Sequence, residues 1–187
     1  MTEATLVPGQ PGTTTTWQID PAHTNVEFAV KHLMMSTVRG RFSDVSGTVT
    51  TDGTVAGSQV AVRIAAGSID TRQAQRDQHL VSADFLDAAT YPDITFVSTK
   101  ITPKGDDEFT IAGDLTIHGV TREVTLDATR EGQGVDPWGN QRAGFSATGK
   151  IDRREFGLTY NQALETGGFL VGNELKLTID AELTRAS

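Results

Sequence analysis

Apolar and polar side chains alternate along most of this chain, which is the period expected of β-strands with one buried face. In residues 25–32, every second residue from Val26 onward is apolar, and this phase puts His32 on the apolar side. The most regular alternation lies in residues 175–183, close to the C-terminus. We therefore expect this last strand to pair with the first one and to close the sheet.

The same two-residue period predicts further strands throughout the chain. They cover, in order, residues 16–20, 25–32, 38–42, 45–49, 59–64, 94–99, 109–117, 124–126, 145–151 and 175–183. Turns are expected at residues 52–53 and 118–119, and a glycine-rich loop over residues 131–141. Gly40 and Gly47 interrupt strands and are interpreted as bulges or bends.

Only one segment has a helical pattern. A polar helix is expected over Arg72 to Val81, capped by Asp70 or Thr71, with a further short turn beginning at Ser82. Its few apolar anchors are Leu80, Phe85 and Leu86, so it should lie against a sheet rather than inside a core. Strands without alternating helices indicate an antiparallel sandwich or a barrel of about eight strands, and exclude a parallel α/β sheet.

Composition supports one globular domain. With 187 residues, 37% of them hydrophobic, the chain can bury one core. We divide it into an N-terminal arm, residues 1–15, and a barrel domain, residues 16–187. The net charge of −8, from 16 basic and 24 acidic residues, disfavours a general nucleic-acid or anionic-membrane binder. The absence of cysteine excludes disulfides, thiolate metal sites and a cysteine nucleophile.

The N-terminal residues lack the basic start, apolar stretch and cleavage pattern of an export signal. No window approaches the roughly 20 apolar residues that cross a bilayer. These features predict a cytoplasmic protein without stable membrane insertion, and they are compatible with a homodimer.

Several blocks of sequence, in one order, resemble the YceI family. They are IDPAHTNVEFAVKHLM at residues 19–34, TVRGRF at 37–42, RDQHLVSADFLD at 76–87, YPDITF at 91–96, GDLTIHGVT at 113–121 and REFG at 154–157. The resemblance covers residues 17 to 183. It implies a mainly β fold, an extended antiparallel lipocalin-like barrel of about eight strands with one short helical segment.

The resemblance also implies a function, namely non-catalytic binding, sequestration or transport of a polyisoprenoid chain or isoprenoid quinone in the barrel lumen. The partner is then an isoprenoid-like lipid, and no cofactor is expected. Such binding needs an apolar inner wall for the chain and a few polar groups for its head.

The inward phase of the strands supplies candidates for that wall. They are Phe28, Val30, Val38, Phe42, Val62, Ile64, Phe96, Leu115, Phe145 and Leu177. The same residues would equally fill a closed core. Small inward residues, Gly113, Ala147, Gly149 and Ala181, would leave room beside them. His32 is a candidate donor to a head group, and it would equally serve as a buried histidine bonded to backbone.

Other chemistry has weaker support in the sequence. The four histidines, His23, His32, His79 and His118, match no short metal-ligand spacing, so no metal site is expected. A hydrolase acting on a lipid-like or amide substrate is the runner-up, although no acid pair or nucleophile elbow is recognisable. The third hypothesis is a stress-related structural β-domain with a filled core. Arg153, Arg154 and Glu155 would form either a buried ion pair at the rim or a solvated face.

Overall fold

The computed structural model describes residues 13–186, which contain eleven strands, one α-helix and three 3-10 turns. The strands are β1 (Thr15–Ile19), β2 (Asn25–His32), β3 (Ser36–Phe42), β4 (Val45–Thr51), β5 (Gln59–Ala65), β6 (Ile69–Asp70), β7 (Asp93–Pro103), β8 (Glu108–Ile117), β9 (Val120–Val135), β10 (Gln141–Asp152) and β11 (Val171–Arg185). The helix is α1 (Ala74–Val81), and the 3-10 turns span Pro21–His23, Ala66–Ser68 and Arg153–Phe156.

Eight strands close into an antiparallel barrel in the order β1, β4, β5, β7, β8, β9, β10 and β11. The ring closes because β1 pairs with β4 on one side and with β11 on the other. Trp17 lies opposite Val49 in one pairing and opposite Arg185 in the other. The predicted pairing of the first and last strands and the predicted barrel are both confirmed.

The barrel wall is extended at one end by β2, β3 and β6. The C-terminal part of β11 pairs with β1, whereas its N-terminal part pairs with β2 through residues 171–180. Strand β2 pairs along its length with β3, and β3 pairs with β6 only through Arg41 and Phe42. The 3-10 turn Pro21–His23 separates β1, which belongs to the closed ring, from β2, which belongs to the extension.

Two apolar clusters fill the two ends of the barrel differently. At the end where β11 finishes, Trp17 and Phe109 are completely buried and pack with Val49, Ile101 and Leu183. At the other end, the larger cluster combines residues from several strands with residues from α1 and the turn Arg153–Phe156. The first cluster closes the barrel, and the second surrounds the space described below.

The helix is confirmed but begins later than the sequence pattern predicts. Its N-cap is Gln73, whose side chain accepts a hydrogen bond from the Arg76 amide, and neither Asp70 nor Thr71 caps it. Arg72 has a φ of 64°, a left-handed conformation that cannot be part of an α-helix. The Thr71 amide donates instead to the Asp77 carboxylate at 2.9 Å, which fixes the approach to the helix.

The glycine-rich loop predicted for residues 131–141 is wrong in its first half. Strand β9 continues to Val135 and pairs with the start of β10, so only residues 136–140 form the hairpin connection. There the Asp136 carboxylate accepts hydrogen bonds from the Trp138 amide at 3.0 Å and the Asn140 amide at 2.9 Å. Ladder pairing with β10 therefore overrides the low strand preference of glycine.

The bulges predicted at Gly40 and Gly47 are also wrong, because the register there is continuous. A Cβ on Gly40 would lie 2.4 Å from the Phe28 ring, and one on Gly47 would lie 2.5 Å from the Ala61 carbonyl oxygen. Both glycines permit close packing instead. Register shifts occur elsewhere, as between Gly144 and Phe145.

Residues 1–12 of the predicted arm lie outside the described residues, and Thr15, its last residue, already belongs to β1 and is buried. The division into arm and domain otherwise stays a prediction. Among residues 13–186, no helix has the length and apolar character needed to cross a bilayer.

Candidate functional site

A cavity of about 280 Å³ lies inside the barrel. Because successive side chains of a strand point to opposite faces, the alternation in sequence turns one apolar row of each strand toward this space. All the lining residues are apolar except Thr24, Ser146 and Arg153. The cavity is therefore an apolar chamber with very few polar groups.

The structure brings most of the predicted wall residues together around this cavity. Those that line it are Phe28, Val30, Phe42, Val62, Ile64, Phe96, Leu115, Phe145 and Leu177. Val38 and His32 are not among the lining residues, although Val38 pairs with Val30 across β2 and β3. His32 is the last residue of β2 and pairs with Ser36 and with Val171, of which Val171 lines the cavity. Contact of these residues with a ligand stays a prediction.

Several lining residues come from outside the predicted strands. Leu80, Phe85 and Leu86, expected only to anchor the helix, also face the cavity, together with Leu158 and Val171. Leu158 follows the turn Arg153–Phe156 and has no periodic pattern around it. Irregular segments of this kind give no sequence signal for which face they bury.

The small inward residues have two different roles. Ala147 and Ala181 line the cavity, as expected. Gly113 and Gly149 do not, because neighbouring side chains occupy the space above them. A Cβ on Gly113 would lie 2.5 Å from Phe96, and one on Gly149 would lie 2.6 Å from Leu126. These glycines hold larger side chains against the wall and do not enlarge the cavity.

Arg153 is the one charged residue of the described cavity lining, and it is 3% exposed. Its guanidinium donates to the carbonyl oxygens of Gly172 at 2.8 Å, Leu158 at 2.6 Å and Tyr160 at 2.8 Å. Two longer contacts, both 3.4 Å, reach the Val171 carbonyl and the Asn173 side-chain oxygen. Burial lowers the pKa of Arg153 below its ordinary value.

Of the two alternatives for this turn, the solvated face holds for Arg154 and Glu155, whereas Arg153 is buried and bonded to backbone carbonyls. Arg153 is buried on backbone carbonyls, while Arg154 pairs with Asp152 at 2.5 Å on the surface, and Glu155 is exposed. The side chain of Arg153 thereby ties the turn at the end of β10 to the segments that precede and begin β11. Sequence alone gave no signal for this role.

A second polar cluster lies outside the cavity, around Arg142 of β10. Its guanidinium donates to Asp20 at 2.7 Å, to Glu182 at 2.6 Å and to Asp136 at 2.8 Å. Hydrogen bonds from His23 and Arg142 lower the pKa of Asp20 to about 2. Burial alone would raise the pKa of Asp136, but hydrogen bonds from Asn140 and Arg142 outweigh it and hold that pKa well below its usual range.

The same cluster contains a set of groups with metal-ligand character. Asp20, His23 and Glu182 offer ligand atoms within 4.8 Å of one another. The guanidinium of Arg142 already contacts both carboxylates, so a cation is in place there. The other histidines are dispersed, with His79 bonded to Asp84 at 2.8 Å and the ring of His118 against Tyr91.

Comparison with known proteins agrees with this architecture. The family described as "YceI-like domain" matches residues 17–183. Protein YceI of Escherichia coli is 50% identical over 137 residues, which are 73% of this chain and 71% of that protein. The crystal structure of BcnA from Burkholderia cenocepacia superposes with a TM-score of 0.77 at 25% identity, covering 88% of this chain and 98% of BcnA.

A more distant structure has the same fold. A polyisoprenoid binding domain from Saccharophagus degradans superposes with a TM-score of 0.64 at 14% identity, covering 91% of this chain and 98% of that domain. The family match spans nearly all of the described barrel, and the relative from Escherichia coli shares half of the aligned residues. The chain therefore belongs to the YceI family.

Proposed function

We propose that this protein binds an isoprenoid-type lipid, without covalent chemistry, inside the barrel. The observation that carries the proposal is the cavity itself, an apolar chamber lined by strands of the closed barrel, by β2 and β3 and by residues of the helical segment. An apolar chain that enters such a space leaves water, which contributes about 25 cal/mol for each Å² of apolar surface buried. A flexible isoprenoid chain fits this chemistry because it offers a long apolar surface.

Binding accounts for the lining better than catalysis does. Among the described lining residues there is neither a histidine nor a carboxylate, and Ser146 donates its hydroxyl hydrogen to Glu131. General acid–base catalysis needs a titratable side chain within hydrogen-bond reach of the substrate. The alternative hypothesis of a hydrolase has no supporting feature in this lining. The third hypothesis, a structural domain with a filled core, disagrees with the presence of the cavity.

We propose further that the polar head of the lipid lies near Arg153. This residue is the charged group of the described lining, and its two weakest contacts, both 3.4 Å, leave hydrogen-bonding capacity on one guanidinium nitrogen. A quinone carbonyl or a diphosphate oxygen would accept a hydrogen bond there. The sequence had offered His32 for this role, and its contact with the head stays a prediction. Sequestration and transport between membranes are both compatible with such a site.

The proposal is tested by filling the cavity. Ala147 faces inward on β10, so Ala147→Phe should reduce the lipid that co-purifies with the protein, seen as extra mass in native mass spectrometry. The matched control is Ala61→Phe, at an exposed, outward position of β5, which should keep the lipid. Wild-type protein without extra mass, whose melting temperature no polyprenyl lipid raises, would contradict the proposal.

A further inference from the structure

Two neighbouring loops expose large apolar side chains at one end of the barrel. Met34 and Met35, in the connection between β2 and β3, are 64% and 79% exposed, and Phe169 is 52% exposed. The loops are joined by a hydrogen bond of 2.9 Å from the Leu33 amide to the Leu170 carbonyl oxygen. We call Met34, Met35 and Phe169 the apolar tip.

The backbone of this tip is held in a conformation that its residues disfavour. Leu33 has a φ of 52° and Met34 a φ of 57°, and the Met35 amide donates to the His32 carbonyl oxygen at 3.1 Å. A β-turn whose two central residues both have positive φ ordinarily contains asparagine and glycine at those positions. Apolar side chains here cost stability both by their conformation and by their exposure, so the fold alone does not account for them.

Positive charge is concentrated next to this tip, although the chain as a whole is acidic. A groove of about 370 Å³ beside β3 is lined by four arginines, Arg39, Arg41, Arg72 and Arg76, together with the acids Glu27 and Asp70. Arg41 pairs with Asp70 at 3.3 Å, and Arg76 bonds to Thr71. Within residues 13–186, the side chains of Arg39 and Arg72 have no ion pair.

The tip and the groove are close enough to meet the same lipid surface. Arg39 follows Met35 by four residues of strand, which is about 14 Å at 3.4 Å per residue. With the tip about 5–10 Å deep in the interface, Arg39 lies at most about 9 Å above it, within about one Debye length of the anionic headgroups. The cavity reaches the same end, because Val30 and Val171 line it, whereas the buried Trp17 and Phe109 close the opposite end.

We propose that the apolar tip and the arginine groove form a docking surface for a lipid bilayer that carries anionic headgroups. Met34, Met35 and Phe169 enter the interface, and Arg39 and Arg72 contact phosphate groups. The net charge of −8 repels such a surface overall, so the local arginines orient the molecule with its tip toward the lipid. Docking on a bilayer does not require a lipid in the cavity. Only the purpose of docking, which is to give the ligand access to the cavity, rests on the proposed function.

Cosedimentation with vesicles tests the apolar tip. Wild-type protein should bind vesicles of phosphatidylcholine mixed with phosphatidylglycerol, and Met34→Gly/Met35→Ser should weaken binding about tenfold or more. Glycine accepts the positive φ at position 34, so this variant should fold at least as stably as wild type. The control is Val135→Ser/Trp138→Ser, which removes the two most exposed apolar side chains at the opposite end and should leave binding unchanged.

The arginines are tested by changing both protein and vesicle. Arg39→Gln/Arg72→Gln should weaken binding about tenfold on vesicles with phosphatidylglycerol, and should have little effect on phosphatidylcholine alone. Native mass spectrometry of the same variants should still show co-purifying lipid. Vesicle binding by a protein that never carries lipid would contradict the proposed function and leave the docking surface intact.

Four results would overturn the docking surface. The first is that wild-type protein does not sediment with either vesicle, and the second is that the Met34→Gly/Met35→Ser variant binds as well as wild type. The third is a blue shift in the emission of Trp138, 82% exposed, on vesicles, which would show that the opposite end docks. Concentration-dependent dimers that dissociate in the tip variant would assign the tip to a second copy of the chain instead.

Discussion

Arg153 shows how one side chain can hold an irregular segment beside a cavity. A buried charge is costly unless hydrogen bonds replace its lost hydration, and here backbone carbonyls do so in place of a carboxylate. Its planar guanidinium group donates to the carbonyl oxygens of Leu158, Tyr160 and Gly172 at the same time. The residue therefore fixes the chain between β10 and β11 and sets one end of the cavity.

Arg153→Leu should destabilise the protein by about 3 kcal/mol, because several buried carbonyl oxygens would lose their donors at once. Urea unfolding followed by circular dichroism measures the change. The matched control is Arg154→Leu, which removes an exposed neighbour paired only with Asp152 on the surface, and it should change stability little. Equal stability losses in the two variants would contradict this role of Arg153.

At the residue scale, the alternation placed Phe28, Phe96 and Leu177 correctly at the cavity. It could not show that Gly113 is covered by Phe96, because that contact depends on which residues face each other across β7 and β8. Nor could it distinguish Val30, which lines the cavity, from Val38, which pairs with it directly but lies on β3, one strand further from the closed ring. The period of a strand gives the side of the sheet, and the depth depends on register and curvature.

At the scale of elements, Arg142 joins four parts of the barrel. It extends from β10 to Glu182 on β11, to Asp20 before the first 3-10 turn, and to Asp136 in the β9–β10 connection. Asp20 in turn accepts the Ala22 amide at 3.0 Å, so the carboxylate orders the bend between β1 and β2. The network thus fastens the region where the first and last strands meet.

Arg142→Gln should therefore destabilise the protein at neutral pH and much less in acid. The folded-state pKa of Asp20 is lowered from 3.8 to about 2, so the stabilisation is present above pH 3.8 and is lost as the pH falls through about 2. Unfolding free energies of both proteins across this range measure the effect. Lys150→Gln, which removes an exposed pair with Glu174 from the same strand, should show no such convergence.

A difference in unfolding free energy between wild type and Arg142→Gln that stays constant down to pH 2 would contradict this stabilising role of the network. The alternation predicted the strands that Arg142 joins but not the network, because Asp20 and Glu182 lie 122 and 40 residues away from Arg142 in the chain. Strand β2 was predicted with its observed bounds because all eight residues keep one phase. The start of α1 was missed because a left-handed residue, Arg72, has no signal in a hydrophobic pattern.

For the whole molecule, the alternation predicted an antiparallel sandwich or barrel, and a hollow interior was implied by the family resemblance alone. Apolar inward faces are the same whether side chains fill a barrel or leave space in it. The difference arises where side chains such as Phe96 lie flat over glycines, and where irregular residues such as Leu158 cover one end. Both depend on contacts that only the assembled fold contains.

Removing bound lipid should lower the melting temperature of the whole barrel. A ligand that binds only the folded state stabilises it by about 2.7 kcal/mol at a hundred times its dissociation constant, or roughly 5–10 °C for a chain of this size. Differential scanning calorimetry before and after delipidation, and after adding back a polyprenyl lipid, measures this. Ala147→Phe should show no recovery, and a wild-type melting temperature unchanged by delipidation would contradict the expectation.

Strand β11 pairs with β1, β2 and β10, so three parts of the wall lack a partner until β11 has been synthesised. During synthesis, the ten preceding strands leave the ribosome before β11 can close the ring. The N-terminal strands then present free edges until β11 emerges, which exposes them to wrong partners and slows folding through distant contacts. A shortened chain that lacks β11 would thus be an open sheet with unpaired strand edges, and chaperones and proteases would act on it.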